Sequence, residues 1–455
     1  MRDIRVMIWG FGAMGSGIAR MLLKKTGVEI VGVVVGRKHL HGTDVYQYLG
    51  EERGSRPELL FGGTELIRNG ACDVVLLGTD SFTRSAFEKV KLCVEHGLNV
   101  ITTAEEMAWP WAQEPELSLE IDRLARQHGV TVFGTGINPG FVLDLLILAI
   151  TGTCEDVKSI EAARVNDLSP FGGAVMHEQG VGITPEEFKR RLAADDLAGH
   201  VGFPESISAI AAGLGVEITK IEQTKDPIIS KVHRETPYAK VEPGNLAGIR
   251  QQGWGRTADG RAFIHLDHPQ QVRPEAEGID TGDYITIDAG GYTLKFSGKP
   301  EMPGGIGTIA MVVNMIPQVL NAPAGLTDLL ELPIPHAILG DMNRFVHELR
   351  EERRVYHKGD CVVLHIELLP AGERAAGVPE DTAALPLEMW VKGELLAESA
   401  HTGEAVRVRT AIGREVEGTL TNCDPGYRHD FGSYVPELAQ VHRQVVDILN
   451  GKGAC

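Results

Sequence analysis

The run Ile4-Arg5-Val6-Met7-Ile8-Trp9, followed at once by Gly10-Phe11-Gly12-Ala13-Met14-Gly15, decides the fold of the first part of this chain. An apolar strand leads into a tight glycine turn, and the turn opens an apolar helical stretch from Gly15 to Lys25. This is GxGxxG in its strand–turn–helix setting. The first glycine allows the tight turn, the second lets the backbone approach a pyrophosphate, and the third lets the helix pack closely on the strand. The helix start presents N–H donors and the positive end of its dipole to phosphate. The same hexapeptide also occurs as a plain helix-packing turn, but its place directly after an apolar strand favours a dinucleotide. Gly10, Gly12, Ala13, Met14 and Gly15 are the candidate cofactor contacts.

Outward from this loop, strand-like runs Arg5–Trp9, Glu29–Val35, Asp73–Gly78, Asn99–Thr102 and Thr131–Phe133 alternate with helical patterns such as Ser81–His96. The alternation predicts a parallel sheet in a Rossmann-type NAD(P)-binding domain over residues 1–140. The second strand runs out into Gly36-Arg37-Lys38 rather than a carboxylate for the ribose of NAD. Arg37 and Lys38 either receive the 2′-phosphate of NADP or form a solvated loop, so the cofactor reading is NADP or NAD.

Ligands of open α/β sheets sit beyond the carboxyl ends of the strands. There the sequence places Gly78-Thr79-Asp80, Thr102-Thr103-Ala104-Glu105-Glu106 and Gly134-Thr135-Gly136-Ile137-Asn138-Pro139-Gly140. Thr79, Asn138, Pro139 and Gly140 are expected beside the nicotinamide, with the Asn-Pro-Gly turn also serving as a hinge. Glu105 and Glu106 are candidates for proton transfer, or else acids complementing a helix N-terminus. His177 is a further catalytic candidate, against the ordinary reading of an exposed histidine. Arg164 is read as either a surface ion pair or a contact to a substrate carboxylate. No metal-ligand spacing appears.

Residues 141–300 change texture. A short apolar helix at Phe141–Ile150 leads into alternating strands with turn signals, predicting an α+β substrate and oligomerisation domain with an open mixed sheet. Gly305–Leu320 returns to helix with a kink at Pro317, and 301–340 is expected to complete the nucleotide domain. The charged stretch 341–355 reads as a linker. From 356 to 455 the pattern alternates at period two over Cys361–Leu369, Val406–Thr410 and Val416–Leu420, and ends in an amphipathic helix at Val435–Asn450. A small β-barrel closed by a helix is expected.

The chain of 455 residues exceeds one core and suits about three domains. A net charge of −18 opposes binding to nucleic acid or an anionic membrane. No signal peptide or run of about 20 apolar residues is present. The six scattered cysteines suit reduced thiols and a cytoplasmic protein, and a homodimer or homotetramer is a separate expectation.

The Gly10–Gly15 loop, the Thr102–Glu106 strand end and the Gly134–Phe141 turn together resemble the dihydrodipicolinate-reductase-like dehydrogenases. The paired-histidine motif of dihydrodipicolinate reductase is missing, and where homoserine dehydrogenases carry a catalytic lysine this chain has Glu105. Residues 3–340 resemble the 2,4-diaminopentanoate dehydrogenase and native amine dehydrogenase family. That resemblance implies that Glu105, with Glu106 as the alternative, handles a substrate amine during NAD(P)-dependent oxidative deamination.

Residues 356–450 resemble the small alpha subunit of 2-amino-4-oxopentanoate thiolase. The matching runs are Val378-Pro379-Glu380-Asp381-Thr382, Pro386–Gly393, Gly413–Leu420 and His429–Leu438. This second resemblance implies a separate large subunit carrying pyridoxal phosphate (PLP), and both resemblances imply ornithine degradation. Two rival readings are an NADP-dependent imine or keto-acid reductase of another amino acid, and a nucleotide-binding scaffold for a PLP-dependent partner.

Overall fold

A computed structural model describes residues 2–347, 355–375, 377–379, 382, 385–401 and 403–421. The expected helix at Val435–Asn450 and the His429–Leu438 run lie outside the described residues.

The first sheet takes strands β1 (Ile4–Trp9), β2 (Val28–Val34), β3 (Phe61–Gly62), β4 (Val74–Leu77), β5 (Asn99–Thr102) and β6 (Thr131–Gly134). Helices α1 (Ala13–Leu22), α2 (Val45–Leu49), α3 (Thr83–Glu95) and α4 (Pro115–Gln127) lie between them. All its pairings are parallel, and both faces are covered. Alternate residues of β1 therefore serve two cores: Ile4, Val6 and Ile8 pack with α1, whereas Met7 and Trp9 pack with α3 and α4.

The chain then leaves this sheet. After α5 (Leu145–Thr151) comes β7 (Ser159–Asp167), then α6 (Gly173–Glu178), α7 (Pro185–Ala193) and α8 (Phe203–Leu214). Next follow β8 (Lys220–Ile229), the short pair β9 (Arg234–Glu235) and β10 (Lys240–Val241), then β11 (Leu246–Arg256), β12 (Ala262–Gln271), β13 (Gly282–Asp288) and β14 (Thr293–Gly298). Six of these form a mixed sheet in the order β14-β13-β7-β12-β11-β8, in which β7 and β12 run parallel. Ile160 and Ala162 of β7, with Ile264 and Leu266 of β12, bury one face against Phe203, Ile207 and Ile210 of α8.

Helices α9 (Gly304–Asn314) and α10 (Ile316–Asn321) and strand β15 (Gly325–Thr327) bring the chain back. β15 extends the first sheet beside β6, giving the order β15-β6-β5-β4-β1-β2-β3. The single helix expected over Gly305–Leu320 is divided at Met315. Pro317 has no N–H to continue the first helix and sits in the opening turn of the second. The helix expected at Phe141–Ile150 starts only at Leu145, because the Asp144 carboxylate caps it, accepting from Leu145 N at 2.7 Å.

The stretch read as a linker from 341 differs most. Thr26 pairs with Asp341, and Met342 and Val346 are buried in the first core with Ile18 and Val319. Apolar residues at 342 and 346 gain burial there despite their charged neighbours, so the segment through 347 belongs to the nucleotide domain.

The appended segment begins with β16 (Val355–His357) and β17 (Cys361–Leu369), and continues through β18 (Leu387–Leu395), β19 (Ser399–His401), β20 (Ala405–Arg409) and β21 (Glu415–Leu420). β17, β18, β20 and β21 close into an antiparallel barrel around Val362, Leu364, Leu395, Val406, Val408 and Leu420. Among the described residues no helix is long and apolar enough to cross a membrane.

Candidate active site

The glycine loop lies at the end of β1. Gly10 has φ +94°, and a Cβ there would meet Thr79 Cγ2 at 2.5 Å and Gly78 O at 2.9 Å. A Cβ on Gly15 would stand 1.9 Å from Gly10 O, so α1 is pressed directly onto the turn. Gly12 differs, since a Cβ there would meet nothing within 4 Å. Its free side is the face on which a pyrophosphate would approach. Ala13 and Met14 follow in the first turn of α1, which has no acidic residue and no side-chain cap, leaving N–H donors and dipole to an anion. These residues fit a dinucleotide.

Arg37 donates from Nη2 to Phe11 O at 2.9 Å, which holds an otherwise exposed guanidinium beside the loop. Lys38 is exposed and opens a short 3-10 turn. Phe11 packs edge-on against Phe61 (4.9 Å) and Tyr48 (5.9 Å), an aromatic wall that the motif did not reveal. Thr79, at the end of β4, donates to Asp80, and Lys89 of α3 bridges both, at 3.1 Å to Thr79 Oγ1 and 2.6 Å to Asp80 Oδ2.

Glu105 and Glu106 form a 3-10 turn, Glu105–Ala108, rather than an α-helix. The turn lies against the end of β6, for a Cβ on Gly134 would meet Met107 O at 2.1 Å. The two carboxylates diverge. Glu106 is buried, and its Oε2 accepts from Thr83 N at 2.5 Å, capping α3, whose own N-cap residue Phe82 offers no side-chain acceptor. Glu105 is half-buried, and no cation pairs with it among the described residues. Burial pushes its carboxyl up from the usual range, partly offset by its own backbone N–H and by Ser81.

Asn138, Pro139 and Gly140 form the junction between the two large domains. The Asn138–Pro139 peptide is cis. Asn138 Nδ2 lies 3.4 Å from His200 Nε2, and its Oδ1 is buried without a partner. The Pro139 ring rests on Gly202, and Gly140 N donates to Asp144 Oδ2 at 2.7 Å. Thr308 of α9 meets Ile137 N at 3.2 Å, so three elements converge here.

The polar neighbours of this junction were missed as site residues. His200 and His268 meet edge to face at 4.8 Å, and burial drives His200 down to about 3 and His268 well below its ordinary value. Burial thus favours the neutral form of both imidazoles. His268 Nδ1 lies 2.8 Å from Arg164 O. Arg164 is neither on the surface nor free: it is 2% exposed, pairs with Asp283 Oδ1 at 2.6 Å and donates to Met302 O. The alternation of β7 and β12 carried a readable signal. Along one buried face Ile160 and Ala162 give way to Arg164 and Asn166, and Ile264 and Leu266 to His268 and Gln270.

His177 is not drawn into this group. It lies on α6 with its side chain exposed, and Arg191 Nη1 (3.0 Å) and Gly180 N (3.1 Å) donate to its backbone carbonyl. Its helix is fixed by Met176, whose burial turns the next residue outward.

The profile of the 2,4-diaminopentanoate dehydrogenase C-terminal domain matches residues 141–348, and that of AKP thiolase subunit OrtA matches residues 355–449. Over 350 residues the chain is 53% identical to a 2,4-diaminopentanoate dehydrogenase of Acetoanaerobium sticklandii, covering 76% of this chain and 98% of that protein. Over 94 residues it is 47% identical to a 2-amino-4-ketopentanoate thiolase alpha subunit of the same organism, covering 21% of this chain and 92% of that one. The fold is similar to the solved amine dehydrogenase from Mycobacterium smegmatis, with a TM-score of 0.65 at 27% identity over 74% of this chain and 98% of that one. The chain belongs to the 2,4-diaminopentanoate dehydrogenase family, oxidoreductases acting on a CH–NH2 group, and carries behind it a domain of the 2-amino-4-ketopentanoate thiolase alpha-subunit family.

Proposed function

We propose that residues 1–347 catalyse the oxidative deamination of 2,4-diaminopentanoate to 2-amino-4-oxopentanoate and ammonia with NAD or NADP. The observation that carries this reading is Glu105: a carboxyl at a strand end, raised by burial and without a cation among the described residues, in a chain 53% identical to a dehydrogenase of that name. When bound, the nicotinamide serves as the hydride acceptor. Gly10, Gly12, Ala13, Met14 and Gly15 hold the dinucleotide by its phosphates, and Arg37, with Lys38 beside it, meets the adenosine end. Thr79, Asn138, Pro139 and Gly140 line the nicotinamide end.

Glu105 takes a proton from the C4 ammonium, because only the neutral amine has a lone pair to drive oxidation at C4. Loss of two electrons and a proton from the C4–N unit leaves a C=N bond. Water adds to it under the control of the same carboxyl, and ammonia departs. Glu106, committed to α3, holds the turn in place, and His177 plays no part in these steps. The amino-acid end of the substrate faces the polar half of the second sheet, where Gln270 Nε2 and Asn138 Oδ1 are buried without partners. A neutral His200 and His268 there add no positive charge against the ammonium groups, and the Arg164 charge nearby is paired with Asp283.

The barrel is proposed to serve the next step, CoA-dependent cleavage of the ketone, as the small partner of a separate PLP-bearing subunit. Incubating the full chain with 2,4-diaminopentanoate and either nucleotide, following NAD(P)H absorbance and ammonia together, tests the first activity. Stoichiometric release of both is expected. Reduction of other amino-ketones without activity on this diamine would reject the reading in favour of an imine reductase.

A further inference from the structure

The turn that carries Glu105 is tied to the substrate domain by a buried carboxyl that the chemistry above does not use. Glu205 lies in the first turn of α8 and has no exposed surface. Its Oε1 accepts from Gln113 Nε2 at 2.6 Å, and Gln113 closes the segment that opens with Glu105. Its Oε2 is buried with no partner. One helical turn further along α8, Ala209 packs on Trp109 of the same segment, so one face of the helix meets it at both points.

The charge acting on Glu205 is that of Glu106, whose Oε2 is already committed to Thr83 N. Asp144, which meets α8 through Ser206, is occupied by Gly140 N, Leu145 N and Ser206 Oγ. No cation pairs with Glu205 among the described residues. An ionised Glu205 would therefore be a buried charge beside a like charge, with one oxygen unsatisfied. A bound proton removes both the buried charge and the repulsion.

We propose that Glu205 is a positioning residue that works in its neutral form, accepting from Gln113 with one oxygen. The Gln113–Glu205 bond pins the segment that opens with Glu105 onto α8 and sets where the base stands relative to the substrate domain. Burial, then the Glu106 charge, lifts Glu205 to about 7 against an ordinary 4.5, with Gln113 pulling the other way. A carboxyl raised on folding adds stability that is complete below its unfolded value and is lost as pH rises through the folded one.

The test uses the full chain with Glu205→Gln and Glu205→Ala, following Tm from pH 5 to 9 and turnover of 2,4-diaminopentanoate. The wild-type Tm should fall by roughly 5 °C between pH 5 and about 7 and level off above, and Glu205→Gln, which cannot ionise, should lose that slope. Glu205→Gln should also keep at least ~10-fold more turnover than Glu205→Ala. A Glu205→Gln variant with the wild-type Tm slope, or with turnover as low as that of Glu205→Ala, overturns the proposal. Should Glu205→Ala fail to fold, the Tm slope of Glu205→Gln decides alone. The turnover arm rests on the dehydrogenase reading: an inactive wild type would count against that reading, while the Tm comparison would still judge Glu205.

Discussion

Glu105 and Glu106 are adjacent and chemically alike, and the fold gives them opposite surroundings. Glu106 faces the start of α3 and is held as an acceptor by Thr83 N, whereas Glu105 is desolvated with no countercharge among the described residues. Replacing Glu105 by Gln should cut turnover at least ~100-fold while nucleotide affinity, read by fluorescence titration, stays within about twofold. Because its carboxyl is raised and must be ionised to accept a proton, the acid limb of the kcat profile should lie above the ordinary 4.5. In Glu105→Gln any remaining activity should lose that limb. Glu106→Ala should behave as a lost cap instead, lowering unfolding free energy by ~1–2 kcal/mol in a denaturant titration.

At the scale of elements, the glycine loop separates two requirements that its motif merges. Gly15→Ala puts a Cβ 1.9 Å from Gly10 O and should lower Tm and weaken nucleotide binding together. Gly12→Ala meets open space, so it should leave Tm within about 1 °C and weaken binding at least ~10-fold, because its Cβ enters the face proposed for the pyrophosphate. The nucleotide half was legible because fully buried parallel strands, such as Val74–Leu77, read as unbroken apolar runs, and the loop needs glycine at set places. The substrate half was less so. Its proposed site joins Asn138 and His200, both in loops, to His268 on β12, far apart along the chain, and no local pattern marks such a meeting. Arg164 misled for a related reason: its partner Asp283 lies 119 residues away, and only pairing of β7 with β13 buries the two charges together. Only the shift from apolar to polar along β7 and β12 was available to a reader of the sequence, and it shows once the strands are known to be neighbours.

At the scale of the whole molecule, the barrel has its own core and the dehydrogenase completes its cores without it. Ending the chain at His347 should leave dehydrogenase turnover within about twofold and abolish any support the barrel gives to a PLP-bearing thiolase subunit, measured as acetyl-CoA formation. Joined in one chain, the modules would hold the second step near the source of its substrate.

The nucleotide domain is also assembled from both ends of its segment, with Ile4, Val6 and Ile8 packing beside Val312, Ile316, Met342 and Val346. On the ribosome these partners emerge far apart in time. The first sheet must wait, partly uncovered, through the synthesis of the whole inserted domain, whose own core between Ile137 and Ile287 can close earlier. The interior of the chain thus matures before its beginning, and nascent chains arrested near residue 300 should be protected from protease in the middle and cut in the first hundred residues.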